Sequence, residues 1–158
     1  MPDDSTVLKL RPLTSADLVT CAAMMMQTPP WSILEFTVDS CHEALSAPRV
    51  EVVGAFHGDV LAGFVALLAE GIEFEPLIVF LCADKEFRNQ GVGTALLNHF
   101  EQRFKDAANL YLFVSDVNPD AQRLYQRQGY RQVGALPNFN LIGQTEFLYR
   151  KTRRALNT

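Results

Sequence analysis

The hydrophobic pattern of this chain changes period several times, and each change marks an element. Val7-Leu8-Lys9-Leu10-Arg11 alternates apolar and charged side chains, the pattern of a strand with one buried face. Thr14 with Asp17 three residues later marks a helix start. The helix that follows, to about Met26, presents Leu18, Cys21, Ala22 and Met25 on one side, and Pro29-Pro30 stops it. Trp31 to Phe36 reads as a loop, and a second short helix spans Val38 to Leu45. Two strands, Val50 to Phe56 and Val60 to Leu68, flank the hairpin turn His57-Gly58-Asp59. A third strand runs from Pro76 to Ala83. Its stretch from Leu77 to Ala83 is apolar without alternation, which predicts a central strand covered on both faces.

The second half alternates helices and strands. Val92, Ala95, Leu96, Phe100 and Phe104 recur at helical spacing within a helix from about Gly91 to Lys105. Leu110 to Val114 is the next strand. Asn118 is an N-cap with Pro119 at the first helical position and Asp120 beside the positive helix end. That helix runs to Gln128, and Gly129 ends it. Strands at about Tyr130 to Ala135 and Glu146 to Arg150 complete the chain. The order βααβββαβαββ predicts an α/β fold, a mixed sheet with helices on both faces. No linker or repeat divides it, so residues 1–158 read as one domain with a core of about 7–152.

Composition narrows the function classes. A hydrophobic fraction of 48% in 158 residues supports one sizeable core and not two. A net charge of -4 supplies no electrostatic attraction for nucleic acid or anionic lipid. Cys21, Cys41 and Cys82 are odd in number and widely spaced, with no CxxC pair and no Cys/His cluster of metal-ligand spacing. They fit a reducing, cytoplasmic compartment. The first residues lack the basic and apolar regions of a signal peptide, and no apolar run is long enough to span a bilayer.

The chemistry concentrates in Arg88-Asn89-Gln90-Gly91-Val92-Gly93-Thr94, between the apolar strand and a helix. A helix start has unpaired N–H groups and a partial positive charge. Glycines let backbone approach a phosphate closely, and Arg88 adds a fixed cation. Together these make a site suited to a pyrophosphate. It is not a Walker A loop, because no Lys-Ser or Lys-Thr follows the glycines. The dinucleotide fingerprint is missing too, since Leu96 stands three residues after Gly93.

The segment Ala83 to Leu97 resembles the acetyl-CoA-binding segment of the GNAT (Gcn5-related) N-acetyltransferase superfamily. In that family an Arg or Gln, two residues, Gly, one residue, then Gly or Ala opens the pyrophosphate-binding helix. Val114 to Tyr130 resembles a second family pattern: a strand, then Asn118, Ala121, Leu124-Tyr125, and Gly129 with an aromatic residue. The likeness is strong over roughly residues 50 to 150.

The resemblance implies a mostly antiparallel mixed sheet of about seven strands and an N-acetyltransferase that uses acetyl-CoA as cosubstrate. Leu81, Cys82 and Ala83 would pair with the pantetheine arm. The backbone from Arg88 through Asn89, Gln90, Gly91, Val92 and Gly93 to Thr94 would hold the pyrophosphate. Asn118 would lie near the thioester. Tyr125 would bind there and protonate the departing thiolate after an amine attacks and a tetrahedral oxyanion forms. Each residue also has a plainer reading: Tyr125 as core, Asn118 as an N-cap, Arg88 as a solvated charge. Trp31, Glu35 and Phe36 would border the amine substrate. A homodimer is compatible with such a sheet.

The general base is the gap in this pattern. Some relatives carry a Glu inside the central strand, but Leu77 to Ala83 has no carboxylate. Glu75 is the first choice, sharing a face with Leu77 if no bulge intervenes, with Glu73 and Glu35 behind it. His99 reads as a packed or exposed helix residue, and His42 and His57 as surface residues. The acceptor is either a small-molecule amine or a protein or peptide amino group. The alternative to catalysis is an acyl-CoA-binding regulatory module. The segment Pro137 to Gln144 should border the acceptor and has no carboxylate until Glu146, which weighs against a polycationic substrate.

Overall fold

The computed structural model describes residues 7–153. Within them the order of elements is β1 (Leu8–Pro12), α1 (Ser15–Met26), a 3-10 turn (Trp31–Ile33), α2 (Val38–Leu45), β2 (Val50–His57), β3 (Val60–Ile72), β4 (Glu75–Ala83), a second 3-10 turn (Lys85–Phe87), α3 (Val92–Arg103), β5 (Asn109–Ser115), α4 (Pro119–Arg127), β6 (Arg131–Pro137) and β7 (Thr145–Thr152). The predicted order holds. The Thr14 signal also holds: its backbone N–H donates to Asp17 Oδ2 at 2.8 Å, which satisfies one of the helix-start donors.

All seven strands form one sheet in the order β1-β2-β3-β4-β5-β7-β6. Only β4 and β5 run parallel; the other neighbouring pairs are antiparallel. Each face carries two helices and its own apolar cluster. On one, Cys21, Ala22 and Met25 of α1 and Cys41 and Leu45 of α2 pack with Val52, Phe64, Ala66 and Cys82 of the sheet. On the other, Val92, Leu96, Leu97 and Phe100 of α3 and Tyr125 of α4 pack with Val65, Ile78, Leu110 and Leu112. This double cover explains why the apolar run of β4 has no polar alternation.

The differences from the sequence reading are at element ends. The β3–β4 hairpin is longer than expected, reaching Ile72 opposite Glu75, with an irregularity between Leu68 and Ile72. Its turn puts Glu73 at φ 53° and leaves Phe74 84% exposed. Helix α3 stops at Arg103, where Phe104 turns out of helical geometry. Among the described residues, no helix is long and apolar enough to cross a membrane.

Candidate active site

The site begins where the sheet splits. β4 and β5 pair only at Leu77 with Tyr111 and Ile78 with Leu112. Beyond Ile78 they part, while β4 stays paired to β3 as far as Ala83 opposite Gly63. The β5-facing backbone of Val79 to Ala83 is therefore an open edge inside the sheet, able to pair with an extended ligand. A bulge sits at the start of this stretch. Ala66 faces Phe80 and Leu67 faces Ile78, so Val79 is an extra residue on β4. Bulges bend a strand and increase its twist, which accounts for the divergence here.

A groove of about 840 Å³ runs from this edge between α3 and α4. Leu81, Cys82 and Ala83 line one side, the turn from Arg88 to Thr94, Gln90 excepted, the next, and Asn118 with the first turns of α4 the third. The turn is built for anions. Asn89 and Gly91 both take left-handed backbone angles, φ 63° and 79°, and Gly91 is the N-cap of α3. Such alternation turns successive N–H groups into one concavity at a positive helix end. The approach of α3 to the sheet depends on Gly63. A Cβ there would stand 2.6 Å from both the Cys82 carbonyl oxygen and Val92 Cγ1.

Of the residues expected to hold the cofactor, Leu81, Cys82, Ala83, Arg88, Asn89, Gly91, Val92, Gly93, Thr94 and Asn118 line this groove. Gln90 does not; its side-chain amide reaches back to the Glu86 carbonyl at 3.5 Å. Sequence reading passed over Arg123 and Arg127, which add two guanidinium groups from α4 to the same groove. The signal was their spacing of four on one helix, but charges at that spacing are ordinary on a solvated face. Asn118 also keeps its plainer role, since its side chain accepts from the Ala121 N–H at 3.3 Å.

A second cavity of about 330 Å³ lies on the α1–α2 side of the split. Trp31, Leu81 and Asn118 line both spaces, so the groove and the cavity meet there. Tyr125 lines the cavity and is 3% exposed, edge-on to Tyr130 and Tyr149. Burial first, then the neighbouring Cys82 and Glu146, pushes its phenol above the ordinary tyrosine range, so it carries its proton at neutral pH. Burial likewise pushes the Cys82 thiol up to about 12, which leaves it a poor nucleophile.

The carboxylates fall differently from the sequence choice. Glu75 faces Ile72 at the hairpin end of β4 and lines neither space, nor does Glu73 in the turn. Six residues of strand at about 3.3 Å each separate Glu75 from Leu81, roughly 20 Å. Glu35 is exposed and lines neither space, while its neighbours Leu34 and Phe36 line the cavity. The carboxylate that does line the cavity is Glu146 of β7. Its Oε2 accepts from Gln144 Nε2 at 3.0 Å and Asn140 Nδ2 at 3.2 Å. Burial raises its pKa, with Asp116 adding to the rise and the two amide bonds opposing it. His57 is partly buried, stacked on Phe87 at 5.2 Å, and like His42 and His99 lines neither space.

Known proteins share this fold. The Acetyltransferase (GNAT) family matches residues 18–130. An uncharacterized N-acetyltransferase of Methanocaldococcus jannaschii, MJ1530, is 37% identical over an alignment of 79 residues that covers 48% of this chain and 51% of that protein. The chain thus spans about half the length of that curated relative. Arabidopsis thaliana NAA60, solved in complex with a bisubstrate analogue, superposes with a TM-score of 0.77 over 94% of this chain and 100% of that one, at 20% identity. An aminoglycoside 6'-N-acetyltransferase complexed with coenzyme A gives 0.74 over 94% and 99%, at 19% identity. The family match covers well over half of the sequence, and it falls on the strands and helices that build the groove: this chain belongs to the GNAT acetyltransferase family.

Proposed function

We propose that this chain is an N-acetyltransferase that moves the acetyl group of acetyl-CoA to a primary amine by direct attack in a ternary complex. One observation carries the reading: a long groove with an anion-binding turn meets a separate cavity at Trp31, Leu81 and Asn118. Two substrates can therefore enter from different sides and meet at one point. The groove fits a CoA-type ligand on its own terms. It offers an open strand edge to an amide-bearing arm and a left-handed turn at a helix start to a pyrophosphate. Arg88, Arg123 and Arg127 line it as cations, with Arg123 paired to Asp120 on the same wall.

Bound acetyl-CoA would supply an electrophilic thioester, on which amine attack forms the C–N bond and breaks the C–S bond. Backbone N–H groups on the open edge of β4 would face the developing oxyanion. The Tyr125 phenol would give its proton to the departing sulfur, and the proton lost by the attacking nitrogen would replace it. The protonated state of Cys82 favours direct transfer over an acetyl-cysteine intermediate. The binding-module alternative goes with the absence of an obvious base in the sequence; Glu146 in the cavity wall offers a candidate for one.

The test is release of CoA thiol from acetyl-CoA with and without a panel of amines, beside calorimetric binding of CoA. Amine-dependent release supports the proposal. Tight CoA binding without release on any amine would turn the reading to a binding module.

A further inference from the structure

We infer that the smaller cavity takes a primary amine bearing one positive charge on an apolar, preferably aromatic, skeleton, and that Glu146 receives its ammonium group. This rests on the acetyl-transfer reading above and adds the acceptor class to it.

Strand pairing sets the position of the carboxylate. Glu146 on β7 stands directly opposite Ser115 on β5. Phe113, two residues before Ser115, shares the same face and lines the cavity with them. Gln144 Nε2 donates both to Ser115 Oγ at 3.1 Å and to Glu146 Oε2 at 3.0 Å, tying the two strands together. Asn140 holds the same Oε2 from the β6–β7 loop. Both amides thus bind one oxygen. Among the described residues Oε1 accepts no hydrogen bond, and no Lys, Arg or His pairs with the carboxylate. A partly buried carboxylate held by neutral donors on one side, with its other oxygen free, is a receptor for a cation.

The rest of the wall defines what carries that cation. Glu146 is the one charged residue among the described residues that line the cavity. Trp31 and Phe80 meet edge to face at 6.0 Å, and Phe113 stacks on Phe139 at 6.1 Å. Phe36 also lines the wall. A second ammonium would be desolvated against these rings with no carboxylate to pair with, which is strongly unfavourable. A single aromatic or branched aliphatic group would instead bury its surface there. The volume of about 330 Å³ lies near the lower end of the usual range of about 300–1,000 Å³ for small-molecule sites. In the reaction, Oε1 takes one proton from the ammonium, leaving the neutral nitrogen able to attack, and returns that proton to water after product leaves.

The chemistry could come from a free amine or from the amino terminus of a peptide with a bulky apolar first residue. The test therefore compares 2-phenylethylamine, a short peptide beginning with Phe, spermidine and kanamycin, in wild type and Glu146→Gln. Thiol release gives turnover. Trp31 is the only tryptophan and lines both spaces, so its fluorescence reports binding of amine and of CoA without turnover. The expected kcat/KM for 2-phenylethylamine or the Phe peptide exceeds that for either polycation by about tenfold or more. Which of the two is favoured identifies the source. Glu146→Gln should lower it by about a hundredfold and weaken 2-phenylethylamine binding, while binding of CoA and of neutral 2-phenylethanol stays unchanged. Preference for spermidine or kanamycin overturns the inference, as does 2-phenylethylamine binding that is equal in wild type and Glu146→Gln. Loss of CoA binding in wild type would instead be a failure of the acetyl-transfer reading, and amine binding would still decide the inference.

Discussion

Gly63 of β3 lies directly beneath Val92 of α3, so close that a Cβ on Gly63 would stand 2.6 Å from Val92 Cγ1. The same Cβ would stand 2.6 Å from the carbonyl oxygen of Cys82, which is backbone and has little room to yield. The contact fixes the start of α3, and with it the anion-binding turn, against the open end of β4. Gly63→Ala should therefore act in two ways. Overpacking should lower stability by about 1–3 kcal/mol in urea unfolding. Displacement of the helix start should weaken CoA binding even where the protein remains folded. Unaltered affinity and stability together would show that α3 can rise from the sheet freely.

The pyrophosphate site separates steric from electrostatic effects at Gly93. A Cβ there meets Leu124 Cδ2 at 3.0 Å, the end of a flexible side chain. Gly93→Ala should weaken CoA binding only modestly. Gly93→Glu should weaken it further, by on the order of 1–3 kcal/mol, because it sets a carboxylate beside the phosphates. Calorimetry over a range of salt concentrations checks this: the gap between the two variants should narrow as salt rises. A gap that ignores salt would mean that packing alone is responsible.

Tyr125 is both a packed aromatic and the proposed proton donor, and Tyr125→Phe separates the two roles. The ring contacts with Tyr130 and Tyr149 remain in the variant. Stability and CoA affinity should change little, while kcat should fall by about a hundredfold or more. Turnover at the wild-type rate would leave Tyr125 a core residue only.

Cys82 lines the groove, yet its thiol is held protonated by burial, with a pKa of about 12. Direct transfer predicts that protein incubated with acetyl-CoA and no amine carries no acetyl group by mass spectrometry. Cys82→Ala should keep most of its turnover. An acetylated Cys82, or a burst of thiol without amine, would replace direct transfer with a two-step route.

Much of this architecture was legible in the chain because it rests on local signals. Periodicity located the elements, and the Gly-rich turn and the Asn118 start gave both walls of the groove. What escaped the sequence depends on pairing. Glu146 becomes a site residue only because β7 inserts between β5 and β6 and sets it opposite Ser115. The bulge at Val79 was hidden because the run from Leu77 to Ala83 is apolar throughout and has no alternation for an extra residue to break. Ile78 and Phe80 consequently face opposite clusters, though they are two residues apart. Glu75 was favoured from its nearness in sequence to the central strand, but the long β3–β4 hairpin carries it to the wrong end.

Glu146 also predicts a pH dependence of both stability and turnover. Its folded-state pKa is raised, chiefly by burial. Asp116 from the loop after β5 adds repulsion, and the neutral Tyr125 phenol faces it from α4. The folded state thus binds this proton more tightly than the unfolded chain does. Between the ordinary carboxylate range and the raised value, stability attributable to Glu146 falls as pH rises. Glu146→Gln has no such charge to bury. It should match the wild type at acid pH and become relatively more stable as pH climbs through that window, in urea titrations at a series of pH values. Turnover should run the other way. The carboxylate must be ionised to take a proton, so wild-type kcat/KM for 2-phenylethylamine should rise through the raised pKa, and Glu146→Gln should lack that limb. A variant that keeps the same acid limb as wild type would assign the titration to another group and remove Glu146 from the proton path.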